Sequence, residues 1–201
     1  FGKLPPPGPE VDLYALSGHK IHGPKGAGAL CVRRGTHLVP LVVGGGQERG
    51  IRGGTEGVPQ LVGLGAAAEL ASRTRAASTA RVREQGQILR DGIHAMGGVI
   101  NSPEGAAWVG SILNASFPGL AAEVLLHALE EAGVYTSTTS ACASRRGKTS
   151  HVLEAMGLSE ARLTSALRFS LSRETSADEI ARALAAIKAV TKTLHAAPTG
   201  G

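Results

Sequence analysis

Apolar positions along this chain change their spacing several times, and each change predicts an element. Val11, Leu13, Tyr14 and Leu16 make a largely alternating run that predicts a strand, and Ala27 to Val32 predicts a second. Between them Ser17-Gly18-His19-Lys20 sits in a loop dense in glycine and histidine. From Pro59 to about Met96 the spacing becomes helical, in one piece or two: Leu61, Leu64, Ala68 and Ala71 share one stripe, and Val82, Leu89, Ile93 and Met96 another. Pro59 suits a first helical position, and Gly97 and Gly98 end the run. Arg73, Arg75, Arg81, Arg83 and Arg90 read most simply as its solvated face.

After Gly98 strands and helices alternate, as in a compact α/β unit. Val99 to Asn101 and Ser111 to Phe117 read as strands. Ala121 to Ala132 reads as an amphipathic helix closed by Gly133, with Val124, Leu125, Ala128 and Leu129 as its buried side. Val134 to Thr138 predicts another strand, leading into Ser140-Ala-Cys-Ala-Ser144, and a short helix covers roughly Ser150 to Met156. Leu167, Phe169 and Leu171 alternate with Arg168, Ser170 and Ser172, which points Arg168 away from the core. Ser176 with Glu179 forms a capping box for a last helix carrying Ile180, Leu184, Ile187 and Leu194. Gly35, the apolar run Leu38 to Val43 and the glycine-rich Gly44 to Gly54 read as a long loop, either functional or a flexible connector.

Composition narrows the class. With 201 residues, 42% apolar and 3% aromatic, the chain has enough material for a core built from Ala, Leu and Val. A net charge of +5 raises nucleic acid as a partner, yet 18% charged residues with no basic run among stacking aromatics argues against it. Two cysteines make no disulfide framework and favour a reducing compartment. No long apolar stretch or signal peptide stands out, so the expected location is cytoplasmic. His22, His37, His94, His127, His151 and His195 lack metal-ligand spacing, and no metal site is expected. The chain begins Phe1-Gly-Lys-Leu without methionine and runs at once into a strand, which suggests a larger protein entered midway.

Three side chains carry candidate chemistry. Lys20 serves either as a solvated charge or as an amine nucleophile; Ser17 and His19 flank it with groups able to donate to a phosphate, and Gly18, Gly23, Gly26 and Gly28 permit close backbone approach. Cys31, between Leu30 and Val32, reads as a small buried hydrophobe. Cys142 is either another or a reactive thiolate favoured by nearby Arg145, Arg146 and Lys148. Arg168 suits a carboxylate clamp or a surface ion pair.

The stretch Ser17-Gly-His-Lys-Ile-His-Gly-Pro-Lys-Gly-Ala-Gly-Ala-Leu30 closely resembles the cofactor-lysine segment of cysteine desulfurases, in the class V branch of fold-type I pyridoxal-phosphate enzymes. Gly44-Gly-Gly-Gln-Glu-Arg-Gly-Ile-Arg-Gly-Gly-Thr-Glu56, Ser140-Ala-Cys-Ala-Ser144 and Leu167-Arg-Phe-Ser-Leu-Ser-Arg173 match the same family in the same order, and the resemblance covers about residues 8 to 195. It implies an α/β architecture: residues 1–95 as the end of the large pyridoxal-phosphate domain of an aspartate-aminotransferase-like enzyme, with a long connecting helix, and 96–201 as the small C-terminal domain. It also implies that Lys20 carries pyridoxal 5'-phosphate, that Ser17 and His19 hold its phosphate, and that Thr55 reaches the phosphate of a neighbouring subunit in a homodimer. Arg168 would hold the carboxylate of L-cysteine, and Cys142 would accept its sulfur as a persulfide, leaving alanine and supplying iron-sulfur cluster assembly or another sulfur-transfer pathway.

The family's ring-pairing aspartate, stacking histidine, ring-oxygen glutamine and second phosphate loop have no counterpart here, which implies a missing N-terminal half or a companion chain. Thr139 and Ser172 stand where the family usually has glycine, so loop stiffness would differ. The basic loop after Cys142 either docks an acidic sulfur-acceptor scaffold protein or is simply solvated. The alternatives are a selenocysteine lyase, another class V enzyme, or a catalytically silent dimerising fragment.

Overall fold

β1 (Leu13–Ser17) and β2 (Gly28–Val32) form an antiparallel pair whose register runs from Leu13 opposite Val32 to Ser17 opposite Gly28. These belong to a computed structural model that describes residues 8–138 and 150–196. The chain leaves β1 through one tight 3-10 turn, Gly18–Ile21, closed by Gly18 N–H donating to Ala27 O at 2.8 Å and Gly23 N–H to Gly18 O at 2.9 Å. Gly18 is buried, and a first side-chain carbon there would lie 3.0 Å from the Ala27 carbonyl oxygen and 3.1 Å from that of Pro24. With the Leu64 side chain also within 3.3 Å, any larger residue there would have to push its neighbours aside.

The loop after β2 is held by its own backbone. Val42 and Arg52 form an isolated parallel bridge, Gly53 N–H donates to Val42 O at 2.9 Å, and a side chain on Gly53 would strike Gly44 at 2.7 Å. The two glycine clusters are therefore a close crossing of chain against chain. Helix α1 (Val58–Ala95) follows as a single unbroken element, and the two compact units of the chain, Phe1–Ala77 and Ser78–Gly201, divide inside it.

Within the first unit only Gly18, Ala27, Gly53 and Leu64 are buried among the described residues. Of the expected stripe Leu61, Leu64, Ala68 and Ala71, Leu64 alone is buried. Cys31 corrects its expectation as well: it is exposed, on a strand of a sheet that has two strands among the described residues.

The second unit is a four-stranded antiparallel sheet in the order β3-β4-β6-β5, from β3 (Val99–Ile100), β4 (Ile112–Ser116), β5 (Ser137–Thr138) and β6 (Ala166–Ser170). Helices α2 (Ala122–Glu131) and α5 (Ala177–Ala196), with the last turns of α1, pack apolar side chains on one sheet face. Leu89, Ile93, Leu125, Leu129, Ile180 and Ile187 meet Leu113, Ala115, Leu167 and Phe169 there, and Phe117 stands edge-on to Phe169 with ring centres 6.4 Å apart. Two short helices, α3 (His151–Ala155) and α4 (Glu160–Leu163), precede β6; α3 is capped by Ser150 Oγ, which accepts from Leu153 N–H at 3.5 Å.

Three expectations change here. Val124 is exposed and Leu126 is half-buried instead, so the inward face of α2 lies further round the helix than its apolar residues suggest. The strand expected from Val134 is reduced to Ser137–Thr138. Arg90, expected on the solvated face, is 7% exposed: its guanidinium lies over the Trp108 ring at 5.3 Å and donates to Pro103 O at 2.8 Å and Ser102 O at 3.2 Å. A planar five-donor group collects the carbonyls of the turn after β3 in a way a helix-face pattern does not reveal.

Candidate functional site

Lys20 lies in the Gly18–Ile21 turn at the end of β1, with His19 before it and Ser17 as the last residue of the strand; all three side chains are exposed. Ser17, His19 and Lys20 thus present one hydroxyl, one imidazole and one amine within four residues, around the buried Gly18. His22 ends the turn in the left-handed region at φ 62°, a conformation uncommon outside glycine. Thr55 follows the Gly44–Gly53 crossing and is exposed. These four candidates belong to the first unit, and Arg168 to the second. Cys142 lies outside the described residues, as does the rest of Ser140-Ala-Cys-Ala-Ser144.

Arg168 stands in the middle of β6 with Leu167 and Phe169 buried on either side, so strand alternation turns its side chain to the face opposite the helices, where it is exposed. Asn114 of β4 is its partner across one strand pair and Ser137 of β5 across the other. Arg168 Nη2 donates to Ser137 Oγ at 3.3 Å. Asn101, just past β3, continues the row: its N–H donates to Asn114 O at 2.9 Å and its Nδ2 to Asn114 Oδ1 at 2.6 Å. The sheet thus carries Asn101, Asn114, Arg168 and Ser137 side by side, one from each strand or its flank. Sequence reasoning found Arg168 and missed the other three. The alternation of β4 held the signal, since Leu113 and Ala115 inward leave Asn114 outward, but the register that sets it beside Arg168 is a tertiary fact.

Behind the row is a buried polar cluster. Asn101 Nδ2 also donates to Ser116 Oγ at 2.7 Å, Ser116 Oγ donates to Arg162 O at 2.7 Å, and Arg162 Nε donates to Asn101 Oδ1 at 3.0 Å. Asn101 and Ser116 are nearly inaccessible to solvent, and a buried polar group stays there only when its hydrogen bonds are made. The cluster ties α4 to β3 and β4.

Residues 8–183 match the family description "Aminotransferase class-V". A protein named cysteine desulfurase from Rhodobacter capsulatus is 42% identical over 94% of this chain and 49% of its own length. One of the same name from Bradyrhizobium diazoefficiens is 41% identical over 92% of this chain and 47% of its own. A solved structure named as a NifS-like protein superposes with a TM-score of 0.82 at 33% identity, covering 92% of this chain and 47% of that one. The chain spans about half the length of the curated relatives it matches. The motifs at Lys20 and Arg168 fall inside the matched span, and the chain belongs to the class-V aminotransferase family.

Proposed function

We propose that this chain supplies part of a cysteine desulfurase, which takes sulfur from L-cysteine and leaves alanine. The observation that carries the reading is Lys20 in the turn at the end of β1, just after Ser17 and His19 and the crowded Gly18 between them, together with relatives named cysteine desulfurase over nearly the whole chain. The donor set fits the two ends of pyridoxal 5'-phosphate: Ser17 and His19 suit its phosphate, and the Lys20 amine suits its carbonyl carbon. When bound, that group supplies an electron sink for charge developing on the substrate's Cα.

The chain's own residues then divide the remaining work. Arg168 grips the substrate carboxylate with a planar fork, which fixes the orientation of the amino acid. Lys20, once its amine is released, moves the proton at Cα as a general base. Cys142, as thiolate, attacks the substrate sulfur: the new sulfur-sulfur bond forms as the Cβ-sulfur bond breaks, its electron pair stays on carbon and takes up a proton, and alanine leaves. The persulfide left on Cys142 passes to an acceptor of its own. Thr55 contributes a phosphate contact across a homodimer. The residues 1–95 and 96–201 serve as the end of a cofactor domain and a small domain.

The test uses the assembly that turns over cysteine. With L-cysteine and a reductant it should release alanine and sulfide in equal amounts, and borohydride fixation of the cofactor should place the label on Lys20. A label on any other lysine, or transamination in place of sulfide, overturns the assignment. Cys142→Ser should abolish sulfide release while the label on Lys20 persists.

A further inference from the structure

We propose that Asn114 is a second donor to the substrate carboxylate beside Arg168, and that Arg162 and Asn101 are the positioning residues that aim it; the proposal rests on Arg168 holding that carboxylate. The case follows from counting hydrogens. A guanidinium only donates, so Arg162 can face nothing but an acceptor. Its Nε points at Asn101 Oδ1 at 3.0 Å, Nη2 reaches the same oxygen, and Nη2 also donates to Ile100 O at 3.3 Å. The oxygen of Asn101 must therefore face Arg162, and its Nδ2 must face the other way.

The two hydrogens of Asn101 Nδ2 go to Asn114 Oδ1 and Ser116 Oγ, at 2.6 Å and 2.7 Å, while Ser116 spends its own hydrogen on Arg162 O. Asn114 consequently has its oxygen toward Asn101, and the amide hydrogens on its Nδ2 are what remains for a ligand. Its backbone is held on both sides as well, with N–H donating to Ser102 Oγ at 2.8 Å and O accepting from Asn101 N–H at 2.9 Å. Turning the Asn101 side chain over would oppose donor to donor at Arg162, inside a cluster where Asn101 and Ser116 are buried.

The register then sets this aimed amide directly across from Arg168, whose Nη2 is steadied from the far side by Ser137 Oγ. Opposite residues on one sheet face stand about 5 Å apart at Cβ. A guanidinium fork and an adjacent amide offer donors alone, which complements a carboxylate and mismatches a neutral or cationic end. A half-buried asparagine on a sheet face with no ligand to meet would need no arginine, through the buried Asn101, fixing which way its amide points.

The experiment measures steady-state kinetics of the active enzyme containing this chain. Asn114→Asp keeps an acceptor for Asn101 and nearly the same volume but puts an anion beside Arg168. The expected result is a KM for L-cysteine raised on the order of 100-fold with kcat changed far less and the melting temperature retained. Arg162→Met should raise KM on the order of tenfold, and Arg162→Lys, which still donates to Asn101 Oδ1, should restore most of it. If the Asp variant loses its cooperative melt, Asn114→Ser, which keeps an acceptor but cannot reach the ligand, is read the same way. An unchanged KM in the Asn114 variant while Arg168→Gln raises it overturns this proposal and leaves Arg168 as the clamp. An unchanged KM in both removes the clamp and the proposal with it.

Discussion

The two units of this chain differ in what holds them. Residues 78–196 bury a contiguous apolar core in which Leu113, Leu125, Leu129, Leu167 and Ile187 are inaccessible to solvent. Residues 8–77 bury almost nothing: Leu30 is 50% exposed, and Val39 and Leu41 are more than 90% exposed. Yet the unit with little core carries the Lys20 amine with a hydroxyl and an imidazole close by in sequence, while the unit with a core carries the Arg168 guanidinium and its polar row. Chemistry and burial are thus separable properties of a sequence. The first unit's backbone is shaped by local rules, glycine against backbone and strand against strand, whereas the second is shaped by apolar area removed from water.

The largest effects should come from breaking the core. Leu113→Ala should cost about 3 kcal/mol in a denaturant melt, because the cavity at a fully buried site closes only in part. Leu30→Ala should change the same measurement by about 0.5 kcal/mol. A large loss at Leu30 would mean that the face of the two-stranded sheet is covered in solution, and the contrast between the units would fall.

Two glycines of α1 sharpen the comparison. A side chain at Gly86 would meet Gly110 O at 2.3 Å and the Trp108 ring at 3.0 Å, so Gly86→Ala should destabilise by about 2 kcal/mol. Gly65, in the first unit, has open space where its side chain would go, and Gly65→Ala should raise stability by about 1 kcal/mol through helix propensity alone. Destabilisation by Gly65→Ala would show that this face of α1 is occupied.

The cap of α5 offers a local test within the second unit. Ser176 N–H donates to Glu179 Oε2 at 2.7 Å, Ser176 Oγ donates to the same oxygen at 2.9 Å, and Glu179 N–H donates to Ser176 Oγ at 3.2 Å. The backbone bond from Ser176, and then its hydroxyl, hold the Glu179 carboxyl below the usual glutamate range. A carboxyl depressed in the folded state contributes stability above its unfolded pKa, and that contribution is lost as pH falls through the depressed value. Helicity followed through an acid titration should therefore show a loss in that window that Glu179→Gln removes, and Ser176→Ala should cost about 1 kcal/mol near neutrality.

Much of this was legible along the chain. The capping box at Ser176, the stops at Gly97 and Gly133 and the outward turn of Arg168 are local rules acting over a few residues, and the structure shows each. The errors arose where a neighbour decides. Val124 and Leu126 are both apolar on α2, and only packing against the sheet selects between them. Cys31 has the pattern of a buried strand residue but lies in a sheet of two strands. Arg90 has the charge of a surface residue, but the carbonyls of Ser102 and Pro103 and the Trp108 ring surround it.

Sequence alone determined the period of most elements, several of their ends, the outward turn of Arg168 and the family that the motifs at Lys20 and Arg168 point to, because those depend on side-chain type and short spacing. Tertiary structure alone decided that Asn114 stands beside Arg168, that Asn101 and Arg162 fix which way its amide faces, and that Arg90 is enclosed. Register and hydrogen-bond direction join residues as far apart as Arg162 and Asn101, 61 positions from each other, and no local pattern carries that information.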